Sequence, residues 1–250
     1  MGYTYVMADI HGMYEAYLAM LEKIKFGPGD ILYVLGDVID RGRDGIRILR
    51  DFMQRDNVTL LLGNHEDMML QVVTMDEMSG TEYEKNMYQW SRNGGDVTAQ
   101  FFFHCLNYKE QAKMIAYLEA CPLFLPEIVV NGKRYYLVHA FPDLEGLADG
   151  ISGGTVTTDS LSELPPAAAR RLRNAVLWRR PEGTETLSEY GTILFGHTPT
   201  IHYQEELPMI FWHGRNMIDV DCGCAYLAAG RTEGQLGCLR LEDEKEFYLR

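Results

Sequence analysis

Apolar and polar positions along this chain fall into a rhythm that predicts most of its elements. Residues 3–8 are aromatic and β-branched enough for a strand, which ends in Asp9-Ile10-His11-Gly12. Leu18, Leu21 and Ile24 then fall at helical spacing and predict a helix over residues 13–24. After the turn Gly27-Pro28-Gly29-Asp30, the apolar run 31–35 reads as a buried strand leading into Gly36 and a charged loop up to Gly42. Ile46, Leu49, Phe52 and Met53 mark a second helix. Residues 58–62 form a third strand, ending in Gly63-Asn64-His65-Glu66, and Met68, Met69, Val72 and Val73 share a face of a third helix. Strand, polar loop and helix thus recur three times, which predicts βαβ units in a mainly parallel sheet. Right-handed crossovers then bring the three loops to one sheet edge.

Residues 74–126 break this rhythm. They are polar, Met-rich and aromatic, with a helical stripe at Met114, Ile115, Leu118 and Glu119. The expectation is a helical cap inserted into one domain spanning residues 1–250. Trp90-Ser91-Arg92-Asn93-Gly94-Gly95 is a bend, either a simple helix end or a device that packs Trp90 beside a pocket. Residues 127–130 and 134–138 form a hairpin around Asn131-Gly132, a type I′ turn pair, and lead to His139-Ala140. Residues 141–190 are irregular apart from a helix over 167–176. Residues 192–195 are a buried strand ending in Gly196-His197-Thr198-Pro199. Segments 210–212, 217–220, 235–241 and 246–249 read as antiparallel strands.

Composition narrows the function. The 250 residues carry a formal net charge of −13, a poor match to a phosphate backbone, so broad nucleic-acid binding is excluded. An anionic substrate would need local cations to attract it against that field. No apolar run approaches the roughly 18 residues of a membrane span. The first strand leaves no room for a signal peptide, and Val6 stands where a myristoylation signal needs Ser or Thr. A cytoplasmic protein is expected. The five cysteines fit no zinc-finger spacing; Cys222 and Cys224 form a lone C-x-C, and all five read as reduced, small apolar residues.

Chemistry concentrates at strand ends. Asp9 and His11, Asp37, Asn64, His139 and His197 each follow a strand. Four of the seven histidines, His11, His65, His139 and His197, lie directly after apolar runs; His104, His202 and His213 do not and read as structural or surface residues. Mixed carboxylate, imidazole and amide ligands suit a transition metal such as Mn, Fe or Zn. Six ligands suit two ions with one carboxylate bridging, a clamp for displacement at phosphorus with the ions about 3.5–4 Å apart.

Asp9-Ile10-His11-Gly12, Gly36-Asp37-Val38-Ile39-Asp40-Arg41-Gly42, Gly63-Asn64-His65-Glu66, His139-Ala140 and Gly196-His197-Thr198-Pro199 resemble, in order, the motifs of calcineurin-like metallophosphoesterases. Trp90 with Asn93-Gly94-Gly95, and Leu177-Trp178-Arg179-Arg180, resemble the phosphoprotein phosphatase group, especially its small phage and bacterial members. The resemblance implies an α/β fold, a β-sandwich of mixed sheets flanked by helices. It implies two divalent ions, Mn²⁺ first with Fe or Zn as alternatives. Asp9, His11 and Asp37 would hold one ion, and Asp37, Asn64, His139 and His197 the other. A metal-bridging hydroxide would attack phosphorus, His65 would protonate the leaving oxygen, and Asp40 would orient His65. Arg41 and Arg180 would grip the phosphoryl oxygens with help from Asn64; Arg179 is the alternative to Arg180. An ion pair with Asp37 or Asp40 is the structural alternative for Arg41.

Phe141 stands where the family commonly has glycine, and Leu62 where eukaryotic members usually have arginine. The partner implied is a phosphorylated protein or small phosphate ester, with no membrane and oligomeric state left open. Hydrolysis of phosphoserine or phosphothreonine is the first expectation. Symmetrical hydrolysis of dinucleoside tetraphosphates on the same metals is the second, and phosphoprotein binding without catalysis the third.

Overall fold

The βαβ rhythm is realised as β1 (Thr4–Met7), α1 (Tyr14–Ile24), β2 (Ile31–Val34), α2 (Gly45–Phe52), β3 (Val58–Leu60) and α3 (Asn64–Val73). The computed structural model describes residues 2–75, 77–151, 155–185 and 187–250. Residue 76 of the expected cap, and residues 152–154 and 186 of the irregular stretch, therefore lie outside the described residues. Helices α4 (Thr81–Arg92), α5 (Asp96–Cys105) and α6 (Tyr108–Glu119) follow, then β4 (Phe124–Val130), β5 (Lys133–Val138), α7 (Pro166–Trp178) and β6 (Thr192–Phe195). The chain continues through β7 (Trp212–Gly214), β8 (Met217–Asp219), α8 (Cys224–Ala228), β9 (Leu236–Arg240) and β10 (Lys245–Leu249).

These strands form two mixed five-stranded sheets, ordered β10-β9-β1-β2-β3 and β4-β5-β6-β8-β7. In the first sheet the parallel strands β1, β2 and β3 run to one edge and antiparallel β9 and β10 complete the other side, whereas in the second the parallel strands β5, β6 and β8 are flanked by antiparallel β4 and β7. Side chains alternate across each strand, so every buried strand serves two cores. Tyr5 and Met7 of β1 join the helices, as do Tyr136 and Val138 of β5 and Ile193 and Phe195 of β6. Their neighbours Val6, Tyr135, Leu137 and Leu194 face the opposite sheet and form the sandwich interior.

Three expectations need correction. The tail is not wholly antiparallel, because β8 lies parallel to β6. The turn containing Asn216 (φ 59°) folds β7 antiparallel onto β8, so β8 inserts between β6 and β7. Pairing grows outward from that turn, which also moves the strand expected at 210–212 to Trp212–Gly214. Finally, the helical stretch does not reach residue 126. Strand β4 starts at Phe124, and Pro126 falls in a register shift between Leu125 and Ile128. An edge strand tolerates proline because its outer N–H has no ladder partner. The Asn131-Gly132 turn is as expected, with both residues at positive φ.

The hairpin offers a paired stability test. Leu137 is fully buried between the sheets, whereas Val129 is 60% exposed on the edge strand. Leu137→Ala should lower unfolding free energy by about 2–5 kcal/mol in urea denaturation. Val129→Ala should change it by less than about 0.5 kcal/mol. Equal losses would contradict the assignment of faces.

Candidate active site

The loops after β1, β2, β3, β5 and β6 meet at one end of the sandwich. Backbone bonds tie them together: Asp9 N donates to Gly36 O (3.2 Å), His11 N to Asp37 O (2.9 Å), Gly42 N to His11 O (3.0 Å) and Gly196 N to His139 O (2.9 Å). Asp9, His11, Asp37, Asp40, Arg41 and His197 all adopt positive φ, between 45° and 67°. Each such residue costs on the order of 1–3 kcal/mol and persists only where surrounding structure over-determines it. The strain aims these side chains inward from the strand ends.

Asp37 lies at the centre. Its Oδ2 stands 3.7 Å from His11 Nε2 and 3.8 Å from His65 Nε2, and its Oδ1 stands 3.4 Å from His139 Nε2. Asp9 Oδ1 is 4.0 Å from His11 Nε2, and Asp9 Oδ2 accepts from His197 N. Asn64 Oδ1 lies 2.9 Å from His139 Nε2 and 3.0 Å from His197 Nδ1. Among the described residues, two groups of donor atoms are tight enough for an ion, His11–Asp37–His65 and Asp37–His139–His197. The structure thus brings all six residues expected as ligands together.

Their protonation fits a cation. His139 Nδ1 donates to Leu35 O at 2.7 Å and His11 Nδ1 to Ile39 O at 3.0 Å, so each neutral ring turns a bare Nε2 inward. Burial pushes His11 and His139 down and drives His197 down to about 3, keeping all three neutral near pH 7. The His139 lone pair therefore faces the Asn64 oxygen, and that of His11 faces carboxylates. His197 Nε2 is buried with no partner among the described residues. Burial alone would raise the Asp37 carboxyl, but the imidazoles of His139, His65 and His11, which gain charge as the pH falls, overcome it and hold Asp37 well below the usual range. Burial, Asp221 and Asp37 push Asp9 well up. Converging lone pairs and carboxylates of this kind are stable only with positive charge between them.

Next to this centre, His65 Nδ1 lies 2.6 Å from Asp40 Oδ2, which also accepts from Trp90 Nε1 at 2.9 Å. Trp90 is fully buried and sits at the end of α4, so the bend at residues 90–95 does pack it beside the site. Asp40 N donates to Thr98 Oγ1 of α5, and Arg41 N to Gly94 O. Arg41 pairs with neither Asp37 nor Asp40 among the described residues; its guanidinium reaches His65 Nε2 at 3.2 Å. The two candidate arginines separate clearly. Arg180 sends its charge onto His197, whereas Arg179 lies 4.6 Å over the ring of buried Phe141. His104, His202 and His213 are exposed. Neither group of donor atoms includes a cysteine, and all five cysteines are free.

The family model of calcineurin-like phosphoesterases matches residues 3–208. The chain belongs to the calcineurin-like phosphoesterase family. The family assigns it to the metal-dependent phosphoester hydrolases. A symmetrical bis(5′-nucleosyl)-tetraphosphatase of Shigella dysenteriae is 41% identical over 73 residues, 28% of this chain and 26% of that protein. The match thus spans about a quarter of that relative's length. Among solved structures, a cold-active protein-tyrosine phosphatase of a psychrophilic Shewanella species has a TM-score of 0.56 at 20% identity, covering 100% of this chain and 81% of that one. A protein serine/threonine phosphatase of Saccharomyces cerevisiae has a TM-score of 0.59 at 14% identity, covering 100% and 80%. At such identities these two likenesses concern the fold.

Within this calcineurin-like site, sequence reasoning missed three buried acids. Glu66 Oε2 accepts from Asp37 N (2.8 Å) and Gly63 N (3.0 Å), and Oε1 from Val38 N (2.9 Å) and Ile39 N (3.2 Å). One carboxylate thus fastens the loop after β2 to the loop after β3. Burial pushes Glu66 up to about 7 against those four donors, which favour the charged form. A side chain on Gly63 would enter the space of Asp37 Oδ1 and of Glu66 Oε2, so only glycine fits there. Asp219 and Asp221 lie behind Asp9; burial raises both, Asp221 to about 7, and Asp219 Oδ2 has no partner. Asp219 ends strand β8, the same signal that singled out Asp37, so it was findable. Nothing in the sequence marks Glu66 as a four-way acceptor.

Glu66→Gln leaves one acceptor oxygen for four N–H groups. Each buried donor left unmatched costs about 1–3 kcal/mol. The variant should lose at least about 2 kcal/mol in urea denaturation and bind Mn²⁺ at least tenfold more weakly in equilibrium dialysis. Wild-type values in both measurements would refute the clasp.

Proposed function

We propose that this chain hydrolyses phosphoric esters or anhydrides with two divalent ions, and that a dinucleoside tetraphosphate is its substrate. The observation that carries the chemistry is the convergence of bare His11 and His139 nitrogens, the Asn64 oxygen and Asp9 on the Asp37 carboxylate. The 41% identity to a symmetrical tetraphosphatase supports the substrate class. Asp9, His11 and Asp37 would hold one ion, and Asp37, Asn64, His139 and His197 the other. Their mixed N and O donors suit Mn²⁺, with Fe or Zn as alternatives. His65 belongs to the first group of donor atoms but is not counted a ligand, because Arg41 stands at its Nε2 and Asp40 at its Nδ1. When bound, the ions supply Lewis acidity and lower the pKa of the attacking water.

The chain's own groups do the rest. Burial opposes protonation of His65, but Asp37 and Asp40 outweigh it and raise its pKa. Asp40 and Trp90 hold the ring by its Nδ1 side, so Nε2 delivers the proton to the leaving oxygen. With Nε2 protonated, its contact with Arg41 is lost and the guanidinium turns to the phosphoryl oxygens, which its fork matches. Arg180 adds a second cation on the His197 side, and Asn64 can contact the same oxygens. Helices α4, α5 and α6 serve as a cap within one domain, since Trp90 of α4 and Thr98 of α5 reach Asp40 from it.

Side-by-side turnover of diadenosine tetraphosphate and a phosphothreonine peptide tests the substrate. We expect the dinucleotide to be preferred; preference for the peptide would favour the phosphoprotein phosphatase reading. Excess EDTA should abolish turnover and Mn²⁺ restore it, whereas full activity in chelator would sink the two-ion mechanism. His65→Ala should slow turnover of alkyl phosphates about 10²–10⁴-fold, and p-nitrophenyl phosphate much less, because only a basic leaving group needs the proton. Equal losses on both would argue against the general acid.

A further inference from the structure

A cleft of about 360 Å³ opens beside Arg41, with Met13, Tyr14, Arg43, Val97 and Leu227 among its lining residues. We infer that this cleft is the leaving-group subsite, and that it takes a nucleoside phosphate. The inference rests on the phosphoester hydrolase reading above and adds where the departing half of the substrate lies.

Direction comes from His65. Its Nδ1 is engaged by Asp40 at 2.6 Å, so the leaving oxygen must approach Nε2. Nε2 lies 3.2 Å from the Arg41 guanidinium, and Arg41 is itself a wall of the cleft. Arg41 thus borders both Nε2 and the cleft, and the cleft is the cavity a group departing past Nε2 would reach, while the attacked phosphorus stays beside Asp37. In that hydrolysis the water oxygen bonds to phosphorus and the bridging P–O bond breaks. The leaving oxygen keeps the bond's electron pair and receives its proton from His65 Nε2, and a proton of the water restores the imidazolium.

Class comes from the walls. Met13, Val97, Leu227 and the Tyr14 ring are half-buried and offer apolar surface to a flat heterocycle. The Tyr14 ring is held in place by the Arg47 guanidinium, 4.2 Å from its centroid. Arg47 also pairs with Asp44 (3.2 Å) and Glu15 (3.8 Å), which neutralises the acids at the rim. Arg43 is exposed and has no hydrogen-bond or ion-pair partner among the described residues. In a chain of net charge −13, an uncommitted cation two residues beyond Arg41 calls for an anion carried by the leaving group. The alkoxide of a phosphoserine carries none. A nucleoside di- or triphosphate carries both that anion and the aromatic ring.

The test uses the full chain with Mn²⁺ and two variants of exposed Arg43. For Arg43→Glu, kcat/KM for diadenosine tetraphosphate divided by that for p-nitrophenyl phosphate should fall at least tenfold, through KM; Arg43→Ala should give a smaller fall. Titration calorimetry with ADP, which needs no turnover, should show at least tenfold weaker binding to Arg43→Glu. A ratio and an ADP affinity within twofold of wild type would overturn the subsite even if wild-type hydrolysis is robust. Absence of turnover on every substrate with Mn²⁺, Fe²⁺ or Zn²⁺ would instead overturn the hydrolase reading, and the calorimetry would still decide whether Arg43 holds a nucleoside phosphate.

Discussion

The constraint on which this structure depends is the burial of Asp37 among groups that repel one another without a cation. Its carboxylate, the carboxylate of Asp9, the Asn64 oxygen and the bare nitrogens of His11 and His139 occupy one dry volume. Burial strips the imidazoles of protons, so they cannot neutralise the carboxylates themselves. Asp219 and Asp221 stand behind Asp9 and deepen the deficit. Such an arrangement is a debt in folding free energy unless divalent ions enter, which couples the stability of this end of the sandwich to metal loading.

The loops can hold this geometry because the two sheets fix their roots. Each donor follows a strand whose neighbouring residues are buried on both faces, so the strand end cannot drift. From that fixed point, positive φ at Asp9, His11, Asp37 and His197 turns the side chains inward, and Glu66 locks two of the loops by four backbone N–H groups. Strain and clasp oppose one another: the second over-determines what the first would otherwise relax.

The donors were legible in the sequence because a short apolar run followed by Gly and a polar residue carries its position with it. Asp37, Asn64 and His197 obey that grammar, Asp9 and His139 follow their apolar runs directly, and the hairpin at Asn131-Gly132 obeys its own. The failures have physical causes. Parallel pairing of β8 with β6 depends on which strand lies between which, a non-local choice that periodicity does not encode. Pro126 reads as a break but sits in an edge strand, where its missing N–H costs nothing. Glu66 looks like an ordinary first-turn helix acid, and its four partners lie on two different loops. The choice between Arg179 and Arg180 is a matter of side-chain direction at a helix end; Phe141 captures Arg179 by its ring face.

Charge distribution joins these points to function. A net charge of −13 repels anionic substrates over any distance that salt does not screen, about 10 Å at moderate ionic strength. Attraction must then be short-ranged and local. In the proposed mechanism Arg41 and Arg180 would supply it at phosphorus; Arg41 rests against His65, so the proton that would arm the general acid would also free the guanidinium. Substrate gripping and leaving-group protonation would then depend on a single protonation event at Nε2. That coupling favours the transition state over the ground state, since the guanidinium is committed to phosphate only when the acid is ready to act.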